Sequence, residues 1–221
     1  MLLIQSGMEN FQGRIVLQCR RYRKGSLAPC TEPAYCRCYV NTAKMLISEL
    51  EARVKEVYRE YRLPDAAALN ARLLLRFAQL SGTGRVRQTH FFAGRFENLY
   101  IERADMPELE PVLQAFHEQA GNWLGRVPGS MRAGFWFNAM GPGHVTAPHH
   151  HDENDELLSA VYYVRVPEHC GSLVLHASEQ SLTVTPEPGK LVMFAPAILH
   201  EVTENRSREM RLSVGMNIGP V

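Results

Sequence analysis

The spacing of apolar residues changes character near residue 125. Before that point, apolar side chains recur at intervals of three and four. Over residues 42–58 they predict an amphipathic helix. A second helix opens at Pro64-Asp65 and carries Ala67, Leu69, Leu73, Leu74, Leu75 and Phe77 up to the Gly82-Thr83-Gly84 break. Residues 85–102 read as extended chain interrupted at Gly94. A third helix is expected from Asp105 as N-cap, with Pro107 in its first turn, to about Trp123. After Gly125 the pattern becomes short apolar runs between Gly and Pro turns: 135–137, 158–166, 172–175, 182–184, 190–194, 198–202 and 211–218. Closely spaced strands of this kind predict a β-sandwich or small barrel. The organisation expected is an irregular arm at 1–40, a helical and extended support at 41–125 and a β-core at 126–221, within one structural domain.

Composition narrows the possibilities. The chain has 221 residues, 45% hydrophobic and 21% charged, with a formal net charge of +1. That describes an ordinary globular protein without the basic footprint of a nucleic-acid binder. No window approaches the ~20 apolar residues that span a bilayer, and Met1-Leu2-Leu3-Ile4 is too short for a signal-peptide core. A cytoplasmic protein is the expectation. Five cysteines, Cys19, Cys30, Cys36, Cys38 and Cys170, form no even disulfide framework. Cys30, Cys36 and Cys38 cluster, but lack a Cys-x-x-Cys pair and a fourth ligand for zinc.

Candidate chemistry concentrates in Pro148-His149-His150-His151-Asp152-Glu153, answered by a solitary His200. Imidazoles suit divalent first-row metals, and two His at alternate strand positions face one side. A solvated polar turn is the alternative. In the last strand, alternation places Arg211, Ser213, Gly215 and Asn217 on one face and Leu212, Val214, Met216 and Ile218 on the other. Lining a barrel mouth, Arg211 and Ser213 would grip a carboxylate. Arg211 follows His200 by eleven residues, a separation that one hairpin can span.

Six pieces arrive in order: Trp136-x-Asn138; Gly143; the His cluster; Ser159-Ala160-Val161-Tyr162-Tyr163-Val164; Pro188-Gly189-Lys190-Leu191-Val192-Met193-Phe194-x-Pro196 with His200; and Arg211-x-Ser213 with Asn217. Together they resemble the iron(II)/2-oxoglutarate-dependent oxygenases over about residues 130–220. The branch most alike has Trp-x-Asn, His-x-His and Ser-Gly-Val-Tyr-Tyr strands. The resemblance implies an α+β protein with a double-stranded β-helix core, a jelly-roll of cupin-like form, and N-terminal helices packed outside. It implies iron(II) as cofactor, 2-oxoglutarate as co-substrate and O2. The reaction implied is hydroxylation of an unactivated C–H bond in a small-molecule or amino-acid-type substrate, releasing succinate and CO2. No nucleic acid or membrane partner is implied, and a homodimer is the commonest assembly.

Carried over residue by residue, the metal ligands are His149, His151 and His200. In the wider superfamily's His-x-Asp register they are His150 and Asp152 with His200. The two registers face opposite ways on a strand, and spacing from Asn138 and Gly143 favours the first. The co-substrate would meet Arg211, Ser213, Tyr163 and Asn138, while Trp136 either lines the cavity or is core. His144, His169 and His176 receive no role. A competing reading is a cupin-type metal enzyme or binding protein without 2-oxoglutarate, using His149, His151, Glu156 and His200. A third is a non-enzymatic barrel acting as a sensor or interaction protein.

Overall fold

The structure is a computed structural model that describes residues 20–23, 26–29, 57–92, 94–151, 155–177 and 180–221. The chain divides into two units, 1–55 and 56–221. In the first, β1 (Arg20–Arg23) pairs antiparallel with β2 (Ser26–Pro29). Cys19, Cys30, Cys36 and Cys38, and all of the expected 42–58 helix except its last two residues, lie outside the described residues.

The second unit holds two sheets. The larger has seven strands. From one edge to the other they are β3 (Tyr58–Arg62), β11 (Lys190–Phe194), β8 (Leu158–Arg165), β13 (Arg211–Pro220), β6 (Met131–Met140), β5 (Arg95–Ile101) and β4 (Val86–Phe92). The smaller runs β10 (Gln180–Val184), β9 (Leu173–Ala177), β12 (Leu199–Val202) and β7 (Thr146–His149). Two sheets with these crossovers make a double-stranded β-helix. Three strands of the larger sheet come from residues before 126, so the sheet reaches beyond the 126–221 segment.

Strand alternation decides which side chains the two faces receive. Tyr162, Leu191, Met193, Leu212, Val214, Met216 and Ile218 form one cluster with the helices α1 (Ala66–Leu80) and α2 (Glu110–Leu124), which supply Leu69, Leu73, Phe77, Leu113 and Phe116. Each fully buried apolar side chain of this kind contributes ~1.5–3 kcal/mol. Their neighbours Tyr163, Val192 and Phe194 meet Leu173, Leu175 and Val184 of the smaller sheet in a second cluster, which fills the space between the sheets. No described helix is long and apolar enough to cross a membrane.

Two expected boundaries are corrected. Tyr58 does not end a helix but starts β3, because pairing with β11 along the open sheet edge satisfies its backbone. Asp105 is not the N-cap of α2. It closes a 3-10 turn (Arg103–Asp105), a second turn (Pro107–Leu109) intervenes, and Leu109 precedes the helix. The Asp105 carboxylate accepts instead from Arg85 at 2.6 Å and its carbonyl from Arg76 at 2.8 Å. Gly125, at φ 64°, ends α2 in the left-handed conformation that glycine adopts without strain.

Candidate active site

The strand β7 brings His149 directly opposite His200 of β12. His151 lies two residues past His149, so it returns to the same side. The loop before β12 fixes it: the His151 N–H donates to the Pro196 carbonyl at 2.9 Å. The three rings converge, with centroids 4.2 Å apart for His149 and His200, 4.9 Å for His149 and His151, and 5.2 Å for His151 and His200. One nitrogen from each lies within 4.8 Å of the others, and Glu156 is not in this group. His150 is exposed, though it borders the same cavity, and Asp152 lies outside the described residues.

Two of the imidazoles are held in a defined tautomer. His149 Nδ1–H donates to the Ala147 carbonyl at 2.8 Å, and His200 Nδ1–H donates to the Ile198 carbonyl at 2.8 Å. Each therefore presents the Nε2 lone pair, the arrangement in which a backbone carbonyl orients a metal-binding imidazole. Burial, reinforced by the neighbouring imidazoles, pushes the His200 pKa down to about 3 and that of His151 down to about 4. Both are neutral at physiological pH, so their lone pairs are available. The donor set fits a divalent first-row metal.

Around the imidazoles lies a cavity of about 350 Å³. The larger sheet forms one wall. Tyr163 of β8 pairs with Ser213 of β13, which pairs in turn with Asn138 of β6. These three share one row across the sheet, and Arg211 lies two residues along β13 on the same face. Arg211 is 1% exposed. Its Nη1 donates to the Gly171 carbonyl at 3.2 Å and its guanidinium lies 5.1 Å from the Tyr163 ring centre. Among the described residues, neither Arg211 Nε nor the Tyr163 hydroxyl, both buried, has a hydrogen-bond partner. Desolvation raises the Tyr163 pKa to about 12, which keeps the phenol a donor. Two orphaned donors at a buried cation leave the hydrogen-bonding need that a carboxylate would meet.

Trp136 is on the cavity wall. A Cβ on its neighbour Gly215 would come within 2.5–2.6 Å of the indole, so the ring lies across the bare β13 backbone. Its centre is 5.6 Å from that of His151.

Several residues of this region carry no signal in the sequence. Glu97 and Asn98 of β5 and His90 of β4 border the cavity. Buried Arg95 donates to Asn138 Oδ1 at 3.3 Å, Thr146 Oγ1 at 3.1 Å, the Val145 carbonyl at 3.0 Å and Glu97 Oε1 at 3.1 Å, tying β5, β6 and β7 together. The 85–102 segment carried a strand signal only, and nothing in its spacing marked these side chains. His144, which accepts from the Gly141 N–H, and His176, bonded to Ser181 and Glu201, stay outside the imidazole group.

Residues 135–219 match the family model described as the 2OG-Fe(II) oxygenase superfamily. Among solved structures, the chain is similar to a Pseudomonas putida prolyl-4-hydroxylase, with TM-score 0.62, 18% identity, and coverage of 80% of this chain and 99% of that one. It is also similar to the epimerase SnoN of nogalamycin biosynthesis, solved with Fe3+, alpha ketoglutarate and nogalamycin RO (TM-score 0.61, 16% identity, 80% and 84% covered). A third is a Trichoplax adhaerens prolyl hydroxylase in complex with a hypoxia inducible factor peptide fragment (TM-score 0.59, 13% identity, 86% and 94% covered). At such identities the likeness is one of fold. No curated protein matches the chain in sequence.

Proposed function

We propose that the protein, whose residues 135–219 match the model of the 2OG-Fe(II) oxygenase superfamily, is a 2-oxoglutarate-dependent non-haem iron oxygenase that hydroxylates an unactivated C–H bond of a small-molecule or amino-acid-type substrate. His149, His151 and His200 hold the iron, without a carboxylate. Arg211, Ser213, Tyr163 and Asn138 receive 2-oxoglutarate. The single observation that carries this reading is the placement of a buried, under-satisfied Arg211 on the same cavity as three converging imidazoles.

Bound iron, with 2-oxoglutarate and O2, supplies the oxidising power for the C–H bond, and 2-oxoglutarate leaves as succinate and CO2. The chain does the rest. Ala147 and Ile198 carbonyls keep His149 and His200 in the Nε2 lone-pair tautomer. Arg211 gives a fixed cation and a free Nε–H for the distal carboxylate, and Tyr163 a neutral O–H donor beside it. Arg95 binds Asn138 Oδ1, which turns the Asn138 amide nitrogen to the other side, as a donor. Phe194, packed 4.7 Å from His200, and Trp136 next to His151 shield the imidazoles from water.

The cupin alternative draws on Glu156, which does not join the imidazole group, and has no use for a buried arginine on the cavity wall. The deciding experiment adds iron(II) and then 2-oxoglutarate without oxygen and records the visible metal-to-ligand charge-transfer band. The band is expected in the natural protein and in His150→Ala, and absent in His149→Ala. A band that survives His149→Ala but not His150→Ala would overturn the ligand set.

A further inference from the structure

An oxidant formed in this cavity before a substrate is seated has the protein itself to attack. The rings around the imidazoles differ in how they meet that hazard. Phe194, 4.7 Å from His200, is a benzene ring that does not readily give up an electron. Tyr163 is easier to oxidise, but it is 0% exposed, so its phenolic proton has no water to go to. Trp136 carries the most easily oxidised ring on the wall, and its centre is 5.6 Å from that of His151.

Trp136 also belongs to a row of residues that crosses the larger sheet. On one side it pairs with Gly215 of β13. On the other, Leu99 pairs with Phe137, and one residue along these antiparallel strands Tyr100 stands opposite Trp136. Tyr100 pairs in turn with Arg87 of β4, the strand at the sheet edge. The row Gly215, Trp136, Tyr100, Arg87 therefore leads from beside His151 to the rim of the sheet. Its side chains are in contact: the Trp136 and Tyr100 ring centres are 6.4 Å apart, inside the ~4.5–7 Å range of interacting aromatic pairs, and the Arg87 guanidinium lies 4.2 Å from the Tyr100 ring centre. Tyr100 is half-buried and Arg87 is exposed. The Tyr100 hydroxyl accepts from Asn98 Nδ2 at 3.5 Å, so its own hydrogen faces elsewhere. A guanidinium on the ring face opposes a positively charged ring, so oxidation of Tyr100 goes with loss of the phenolic proton to water.

We propose that Trp136 and Tyr100 form an oxidation relay, along which oxidising equivalents that no substrate consumes leave the metal site for the sheet edge. This rests on the oxygenase reading for its oxidant and adds a second activity to it. In each passage one electron moves from Trp136 to the oxidised metal site, Tyr100 returns an electron to the indole and releases its proton to water, and a thiol in solution restores Tyr100 by giving up a hydrogen atom. Two passages supply the two electrons that the unused oxidant lacks. Two protons from solvent carry its oxygen atom to water, and the two thiols end as a disulfide.

Two measurements test the relay. In the first, pulse radiolysis of the metal-free, full-length protein produces azide radicals, which oxidise tryptophan, and the indolyl and tyrosyl absorptions are followed in time. The indolyl signal is expected to decay as the tyrosyl signal grows, at a rate independent of protein concentration. Tyr100→Phe, which removes one hydroxyl, and Trp136→Phe should each lose this phase, although Trp123 and seven or more tyrosines remain in both. Transfer that persists in either variant, or a rate proportional to protein concentration, would overturn the proposal. In the second, iron(II)-loaded protein that shows the charge-transfer band with 2-oxoglutarate is mixed with O2 without substrate and freeze-quenched. Electron paramagnetic resonance is expected to show a tyrosyl radical that is lost in Tyr100→Phe, and peptide mass mapping should find more oxygen added to Trp136 and the 149–151 histidines in that variant. Protein that shows the band but gives no radical, or is oxidised equally with and without the Tyr100 hydroxyl, would also overturn it. Absence of the band, with transfer intact in the metal-free protein, would instead sink the oxygenase reading and the relay's oxidant with it.

Discussion

Replacing Arg211 with methionine should leave the ligand-free protein as stable as before, or more stable, while removing most of its response to 2-oxoglutarate. Sequestering a guanidinium from water costs several kcal/mol, and Arg211 is 1% exposed. The ligand-free protein returns one charged hydrogen bond, to Gly171, of ~1.5–3 kcal/mol, and a ring contact with Tyr163 of about 2 kcal/mol. Nε has no partner. Arg95, whose pKa is lowered chiefly by burial, is pushed down further by Arg211, so the two cations also repel. These contributions nearly cancel, and an unbranched apolar side chain of similar length loses little. Ligand binding is different, because a buried charged pair is worth ~2–5 kcal/mol when one partner is truncated. With manganese(II) in place of iron and 2-oxoglutarate at 100 times the natural dissociation constant, the ligand stabilises the natural protein by ~2.7 kcal/mol. That is a rise in Tm of roughly 5–11 °C at ~2–4 °C per kcal/mol. A 2 kcal/mol weakening in Arg211→Met leaves below ~1 kcal/mol, or about 2–3 °C. Thermal melts with and without 2-oxoglutarate read both quantities. If Arg211→Met melts several degrees lower without ligand, the arginine is a structural group; if it keeps the full ligand shift, the carboxylate is held elsewhere. Either result refutes the reasoning.

Other consequences can be checked on the same protein. Gly215→Ala puts a Cβ inside 2.6 Å of the Trp136 indole. It should cost ~1–3 kcal/mol in a denaturant melt and move the Trp136 indole resonance; an unchanged spectrum with unchanged stability would mean that the ring does not rest there. Burial raises both Tyr163 and Tyr162 to about 12. An unfolded tyrosine ionises near pH 10, so the unfolded chain loses these protons first. Stability should therefore be complete below pH 10 and fall between about pH 10 and 12, by ~2–3 kcal/mol for each tyrosine. Absorbance at 295 nm, compared between native and denaturant-unfolded protein, tests this, and two phenols titrating normally near pH 10 in the folded protein would contradict it.

How far the sequence could be read depended on the range of the interaction involved. Alternation along 211–218 needs only neighbouring residues, and it sorted the apolar Leu212, Val214, Met216 and Ile218 from Arg211, Ser213 and Gly215 before any pairing was known. The histidine register needed more. Parity alone allows His149 with His151 or His150 with Asp152, and what brings the first pair inward is cross-strand pairing of His149 with His200, fifty-one residues away. The Glu97, Asn98 and His90 contribution left no local trace, because β5 joins β6 by tertiary contacts such as the pairing of Leu99 with Phe137 and the bond from Arg95 to Asn138. Capping propensity misled at Asp105, where two 3-10 turns separate the residue from the helix and its carboxylate pairs with Arg85 instead.

The last strand shows why the core and the site are so closely coupled. β13 lies between β8 and β6 at the middle of the larger sheet, so Leu212, Val214, Met216 and Ile218 are the floor on which α1 and α2 rest, and Arg211, Ser213 and Gly215 are part of the cavity wall. A one-residue slip of β13 would therefore bury Arg211 and Ser213 under the helices and turn Leu212 and Val214 toward the imidazoles. Such a slip would unpair a guanidinium in the apolar layer and lose four buried aliphatic contacts at once. The apolar half of the strand thus sets the register, and the register places Arg211 on the cavity wall. The wall is then completed from both flanks, by Tyr163 on β8 and by Asn138 and Trp136 on β6. A cation that is poorly satisfied in the ligand-free protein can persist there because the other face of the same strand over-determines its position.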